Sequence, residues 1–326
     1  MRSGAALGHR GYFHEAAFYQ SDHEFVQIMG PFFADGLAAG EPVIAVFTRH
    51  NQSLVRAEFG AGIRYLDAEQ QYARPARAIL AYRRLMTQLV ADGATQVRIA
   101  GDVPHPGTGV PWEWWARYEA VINDAYDDFP LWGLCPYDTR TTPGEVLEEV
   151  RRCHPHIATA DGHEPNPAFE DPRQFLANRP ATWRDPMETR SPSRELVNPN
   201  AGEVRLVIAE LSRSVTLTET QIQDLQLATT EAITNALLYG KLPVQVRIWD
   251  GPDRLLVTVT DAGPGPSDPY AGLRPVAPAA LRGRGLWLIH QLCSYVTLER
   301  SPTGFTVRML AGTPVDPHIP AIRGLG

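Results

Sequence analysis

Apolar residues recur along this chain at helical spacing in some stretches and as short continuous runs in others. Residues 24–39 set Phe25, Ile28, Met29, Phe32 and Phe33 on one side of a predicted helix, with Pro31 inside it and Gly40 at its end. Residues 42–48 form an apolar, β-branched run, the pattern of a buried strand, and 63–66, 96–100 and 131–134 read as further strands. Between them, residues 76–91 repeat Ile79, Leu80, Leu85, Met86 and Leu89 at helical spacing until Gly93. Strand and helix alternating in this way predict parallel βαβ units. From Cys153 to Ser193 no apolar period survives, and prolines recur at 155, 165, 167, 172, 180, 186 and 192. The last part of this stretch, 178–195, reads as a linker.

A second pattern begins near Leu196. Residues 200–211 and 220–238 predict helices; the longer carries Ile222, Leu225, Ala228, Ala232, Ile233, Ala236 and Leu237 and stops at Gly240. Strands over 244–249 and 254–260 follow, joined by Gly251, Pro252 and Asp253. After a Pro- and Ala-rich loop over 267–282 come a helix at 285–292 and a hairpin of 295–299 with 305–309. The chain thus divides into an α/β domain over 8–177, a linker over 178–195, a second domain over 196–311 and a tail over 312–326.

Composition narrows the chemistry. Among 326 residues, 44% are hydrophobic and 21% charged, an ordinary globular balance. No apolar run approaches the ~20 residues of a membrane span, and His14, Glu15, Asp22 and Glu24 interrupt the stretch where a signal peptide would sit. The expectation is a cytoplasmic protein without a membrane partner. Three cysteines exclude a disulfide framework and a four-cysteine zinc site, and the net charge of −7 disfavours direct nucleic-acid binding. Lys241 is the only lysine. It follows Gly240 and precedes Leu242, which excludes a phosphate loop of the Gly-x-x-x-x-Gly-Lys type and the strand lysine of a eukaryotic-type protein kinase.

Four short motifs fall in order in the second domain. Glu231 and Asn235, four apart, share one helical face; an Asn oxygen suits Mg²⁺, and a nearby Glu can act as a base. Asp261, Gly263 and Gly265 follow an apolar strand, where glycines admit a ligand and Asp accepts from an amino group. Gly283, Arg284, Gly285 and Leu286 open a helix whose free N–H groups attract phosphate. Gly304 and Thr306 open the last strand, with a hydroxyl to offer. Taken singly, each is equally a polar helix face, a turn, a helix start or a hairpin.

In this order, the motifs resemble the N-box and G-boxes of the histidine-kinase-like ATPase superfamily, over about 196–311. The resemblance implies an α/β sandwich (the GHKL or Bergerat fold) with a mixed sheet. It implies ATP and Mg²⁺ as cofactors, Asn235 as the Mg²⁺ ligand and Glu231 as general base. Asp261 would contact adenine with support from Thr306. Gly263, Gly265, Gly283 and Gly285 would shape the nucleotide loops, and 267–282 would be a mobile lid. Within the superfamily, the run from Glu231 to Gly240 is most similar to anti-sigma-factor serine kinases, with Tyr239 where those often carry histidine.

The first domain resembles the MEDS sensory domain of bacterial regulators. The residues carrying this are His14, Phe18, Tyr19 and Glu24; Gly36, Leu37, Gly40 and Glu41 before Val43; Leu134, Cys135, Tyr137 and Asp138; His154 and Pro155; and Pro167 to Phe175. The resemblance implies a RecA-like parallel sheet without a phosphate loop that senses a small, hydrocarbon-like ligand. His14, Tyr19, Cys135 and Tyr137 are the candidate sensing residues, and Trp112, Trp114 and Trp115 are candidates to line an apolar pocket. Cys153, His154 and His156 lack a second ligand pair at zinc spacing, so no metal site is expected there.

Together the resemblances imply a sensory domain controlling an ATP-dependent serine/threonine protein kinase domain. Its expected partners are an anti-sigma-factor antagonist and a sigma factor, and a homodimer is a further expectation. Two rivals stand beside it: an ATP-binding partner switch without phosphotransfer, and a sensor histidine kinase. The latter needs a phosphoacceptor helix pair, and the upstream histidines 154, 156 and 163 lie among prolines.

Overall fold

The computed structural model describes residues 2–108, 110–179, 181–275 and 283–315. The chain forms two compact units, one of residues 1–108 and 115–176, the other of 109–114 and 177–326.

Elements of the first unit run β1 Phe13–Tyr19, α1 Asp22–Ala38, β2 Val43–Val46, α2 Arg49–Phe59, β3 Arg64–Tyr65, α3 Ala68–Gln71, α4 Pro75–Ala91 and β4 Val97–Gly101. They continue with α5 Trp112–Ala125, β5 Leu131–Asp138, α6 Gly144–Cys153, β6 His156–Thr159, β7 Gly162–Pro165 and α7 Pro172–Asn178. The strands make one sheet in the order β3-β2-β4-β5-β1-β6-β7. All pairings are parallel except that of β6 with β7. The parallel βαβ expectation therefore holds, and β1, whose sequence alternates little, is the inner strand that the periodicity missed. Its register sets Ala16 beside Cys135 and His14 beside Gly133 of β5. Side chains alternate across a strand. Phe13, Ala17 and Tyr19 enter a core with Phe25, Met29, Phe32 and Phe33 of α1, while His14 and Ala16 face the other way.

Two polar devices hold this unit. Arg98 is fully buried; it pairs with Glu41 at 2.6 Å, donates to the Phe32 carbonyl at 2.7 Å, and lies 4.4 Å over the Trp132 ring. At the start of α2, where a phosphate loop would hold an anion, Asp102 accepts from the Thr48 N–H (2.9 Å), the Thr48 hydroxyl (2.8 Å) and Asn51 Nδ2 (2.9 Å). The unit thus supplies its own carboxylate to a helix N-terminus that attracts anions.

The second unit contains β8 Arg194–Val197, α8 Ala201–Leu211, α9 Glu219–Tyr239, β9 Gln245–Asp250, β10 Arg254–Asp261, α10 Arg284–Leu292, β11 Tyr295–Ser301 and β12 Gly304–Gly312. Helix α9 starts with a capping box between Thr218 and Gln221. The sheet order is β11-β12-β10-β9-β8. Every pairing among the described residues is antiparallel, a correction to the mixed sheet expected from the resemblance. One face, with Val257, Val259, Phe305, Val307 and Met309, packs on apolar residues of α8, α9 and α10. On the other face, Leu256, Trp249, Tyr295 and Leu310 lie under Trp114, Trp183 and Met187.

That second cover corrects the linker expectation. Residues 181–195 do not run free: Trp183 and Met187 are buried, Asp185 pairs with Arg254 at 3.0 Å, and Glu188 pairs with Arg308 at 2.8 Å. Pro186 opens a short 3₁₀ turn capped by Asp185. The sheet needs this cover because its outer face carries aromatic residues. Among the described residues no helix is long and apolar enough to cross a membrane.

Arg98→Ala would leave Glu41 buried without its cation. The expected loss for the first unit is about 3–5 kcal/mol, read as a lower urea midpoint. A loss under about 1 kcal/mol would remove Arg98 from its structural role.

Candidate functional site

Helix α9, the ends of β10 and β12, and the start of α10 enclose a cavity of about 290 Å³, near the lower end of small-ligand sites. The structure brings Asn235, Asp261, Gly265, Gly283, Gly285 and Leu286 to its wall. Asp261 is buried, and its Oδ1 accepts from the backbone N–H groups of Gly263 (2.7 Å) and Lys241 (3.2 Å). Both bonds use Oδ1, which leaves Oδ2 to accept from a ligand amino group.

Glycine is required here by crowding. A Cβ on Gly240 would lie 2.3 Å from Asp261 Oδ1, and one on Gly263 would lie 2.6 Å from the same atom. Gly240 ends α9 as expected, and it does so without a left-handed backbone, at φ −89°. Its smallness serves the Asp261 carboxylate instead. Gly283 does need a left-handed backbone, with φ 85° at the N-cap of α10. A Cβ on Gly285 would meet Asn235 Nδ2 at 2.7 Å and Glu231 Oε2 at 3.0 Å. The polar pair of α9 therefore faces the N-terminus of α10 across a gap that only glycine leaves open. The first turn of α10, an amide and a carboxylate converge there, a set of groups that suits a phosphate with its cation.

Glu231 and Gly263 are not on the wall itself but adjoin Gly285 and Asp261, and two further expected residues lie elsewhere. Thr306 is not at the cavity: β12 directs Phe305 and Val307 into it and Thr306 to the opposite face, where its hydroxyl bonds Thr260 at 2.9 Å. The expected support of Asp261 by Thr306 is thus corrected, and Phe305 takes the wall position. Arg284 is exposed at the first position of α10. Of the expected lid over 267–282, residues 276–282 lie outside the described residues. Sequence reasoning missed Tyr239, Val259, Phe305 and Val307 as lining residues. Period-two alternation from Asp261 and its partner Phe305 was the signal that would have found the strand residues.

The sensory candidates divide. His14, Cys135 and Tyr137 gather around Glu119 of α5, which the sequence reading did not name. The Tyr137 hydroxyl donates to Glu119 Oε1 at 2.9 Å, and His14 Nε2 stands 3.4 Å from Oε2. Tyr19 is on the opposite face of β1, its hydroxyl accepting from Asn51 at 3.0 Å. Burial, together with the neighbouring His154, lowers the His14 pKa to about 4. Burial first, and then Glu119, push the Cys135 thiol well up. The expected tryptophan pocket is corrected. Trp114 packs with Trp183 and Tyr295 in the second unit, whereas Trp115 packs on Tyr72 and Tyr118 in the first. Beside Cys135 lies a cavity of about 30 Å³, bordered by Tyr12, Tyr72 and Tyr82.

Fold and site together define a parallel α/β domain joined to an antiparallel α/β sandwich with a glycine-walled cavity. Residues 13–155 match the family described as MEDS, the methanogen/methylotroph DcmR sensory domain, and residues 197–311 match the histidine kinase-like ATPase domain family. The chain is a MEDS domain followed by a histidine-kinase-like ATPase domain. No curated protein matches it. Among solved structures, the RsbU and RsbW domains of Rv1364c from Mycobacterium tuberculosis are similar at 18% identity and TM-score 0.27, over 39% of this chain and 35% of that one. A histidine kinase domain from the Erythrobacter litoralis blue-light activated histidine kinase gives 17% and 0.24, over 35% of this chain and 61% of that one. The histidine kinase domain of the E. coli osmosensor EnvZ gives 20% and 0.24, over 39% and 92%. The chain spans less than two thirds of the length of the first two.

Gly265 has φ +70°, and a Cβ there would lie 2.3 Å from the Phe305 ring. Gly265→Ala is expected to destabilise the second unit by about 1–3 kcal/mol, seen in thermal unfolding. Thr306→Val, which removes only the bond to Thr260, is expected to leave ligand affinity of the cavity within about twofold. A tenfold loss would return Thr306 to the site.

Proposed function

We propose that this protein is a signalling switch. Its MEDS domain reads a small ligand, and its second domain binds Mg²⁺-ATP and phosphorylates a serine or threonine on an anti-sigma-factor antagonist. A sigma factor is the further partner of this reading. The observation that carries it is the placement of Glu231 and Asn235 against Gly285 at the start of α10. In this reading Asp261 selects the adenine amino group, and the N–H groups opening α10 take the phosphates. Asn235 holds the cation, which when bound would neutralise charge on the phosphates. Glu231 accepts the proton of the attacking hydroxyl.

A specific observation favours transfer to a partner over a histidine kinase. His154 is fully buried at the end of α6, and His156 and His163 lie on the paired strands β6 and β7. None stands on a helix pair that could present an imidazole to the cavity. The partner-switch rival without transfer differs only in leaving Glu231 without a chemical role.

The test uses ATP labelled at the γ-phosphate and partners captured from the native cell. Acid-stable label on a small partner is expected. Acid-labile label on the chain itself would make it a histidine kinase, and nucleotide binding without any label would make it a passive switch. Glu231→Ala is expected to keep nucleotide affinity and lower transfer by about 10²-fold or more. Asn235→Ala is expected to lose the part of the affinity that depends on Mg²⁺. Undiminished transfer by Glu231→Ala would reject the base.

A further inference from the structure

Four side chains far apart in sequence meet inside the first domain: His14 from β1, Glu119 from α5, Cys135 from β5, and His154 at the end of α6. Each offers one donor atom, and the four atoms lie within 4.8 Å of one another, all from buried residues. His14 Nε2 and His154 Nε2 stand 3.4 and 3.3 Å from the same Glu119 oxygen, Oε2, and Cys135 Sγ stands 3.7 Å from His14 Nε2.

The surrounding hydrogen bonds decide which atoms carry protons. The Asn123 amide nitrogen donates to the carbonyls of Glu119, Ala120 and Cys153, so its oxygen accepts from His14 Nδ1 at 3.0 Å. His154 Nδ1 donates to the Val150 carbonyl at 2.7 Å. Both Nδ1 atoms therefore hold the proton, and both Nε2 lone pairs point inward. They face a carboxylate oxygen, and neither contact has hydrogen-bond geometry: Glu119 Oε2 and His154 Nε2 are buried without a hydrogen-bond partner. Fully buried polar atoms normally find one. Lone pairs turned on an anionic oxygen repel unless a cation sits among them.

We infer that His14, Glu119, Cys135 and His154 are the ligands of a tetrahedral site for one divalent late first-row transition-metal ion, of the zinc class. Bonds of ~2.0–2.1 Å to nitrogen or oxygen and ~2.3 Å to sulfur at tetrahedral angles separate donors by ~3.4 Å, or ~3.6 Å for a nitrogen–sulfur pair. The observed 3.3, 3.4 and 3.7 Å match. Mixed imidazole, thiolate and carboxylate ligation suits zinc over magnesium or calcium. The Nδ1 bonds to Asn123 and Val150, with the Tyr137 bond to Glu119 Oε1, are the outer contacts that orient such ligands. With Glu119 ionised and Cys135 bound as thiolate, a divalent ion makes the centre neutral. The thiol proton is the one that must leave, so binding releases one proton per ion to solvent.

The experiment uses the untagged full chain. As purified, it is expected to hold about one equivalent of zinc per chain by elemental analysis. After chelator treatment, one equivalent of Co²⁺ should give the visible bands of tetrahedral cobalt and a thiolate-to-cobalt charge-transfer band, with release of about one proton. Zn²⁺ should displace it and raise the thermal midpoint. Cys135→Ser should lose the charge-transfer band, and His154→Ala should weaken binding at least tenfold. A chelator-treated chain that binds neither Co²⁺ nor Zn²⁺ would overturn the site. So would a charge-transfer band that survives in Cys135→Ser. If Cys135→Ser does not fold, the wild-type spectrum and proton count decide: both present support the site, and either absent overturns it.

Discussion

The second domain depends on keeping one buried carboxylate in place. Asp261 stands at the end of β10, and the chain closes around it so tightly that Gly240 and Gly263 have no room for a Cβ. Two backbone N–H groups fix Oδ1, and those groups belong to the segments that leave α9 and β10. A buried carboxylate is tolerated only with such partners. The helix end, the strand end and the loop after it therefore converge on one buried side chain. Gly240 and Asp261 both line the cavity beside it.

Much of this was legible in the sequence. The long amphipathic α9, the paired strands β9 and β10, and the order of Glu231, Asp261 and Gly283 mark the domain in the sequence itself. The error at Thr306 has a plain cause. A hydroxyl near a glycine suggests a ligand contact, but strand register decides which face it takes, and Phe305 opposite Asp261 reverses the reading. The stretch 178–195 failed for another reason. Proline content reports the lack of regular secondary structure and says nothing of burial, and Trp183 and Met187 were the residues that carried the packing signal.

The first domain was less legible because its polar centre is assembled across distant segments. His14 and Cys135 were named from the sequence, and His154 was set aside for want of local spacing. Glu119 stands among other charges on α5 and belongs to no local motif. Only the pairing of β1 with β5 brings two of them to one face of the sheet, and only the packing of α5 and α6 adds the others. Local spacing finds metal sites built on one turn or loop; it does not find sites built by topology. The contrast with Arg98 and Glu41 is instructive. There, burial of charge is answered within the chain by an ion pair and carbonyl contacts, whereas Glu119 Oε2 and His154 Nε2 stand 3.3 Å apart without a hydrogen bond.

The central claim for the second domain is that Asp261 and its glycine surround form an adenine-selective nucleotide cavity. Equilibrium titration of the full chain with ATP and with GTP, in Mg²⁺, tests it most directly. The account predicts one ATP bound per chain and GTP weaker by at least tenfold, because the guanine edge presents an oxygen where Asp261 needs a donor. Equal affinity for the two nucleotides, or no binding of either, would contradict it.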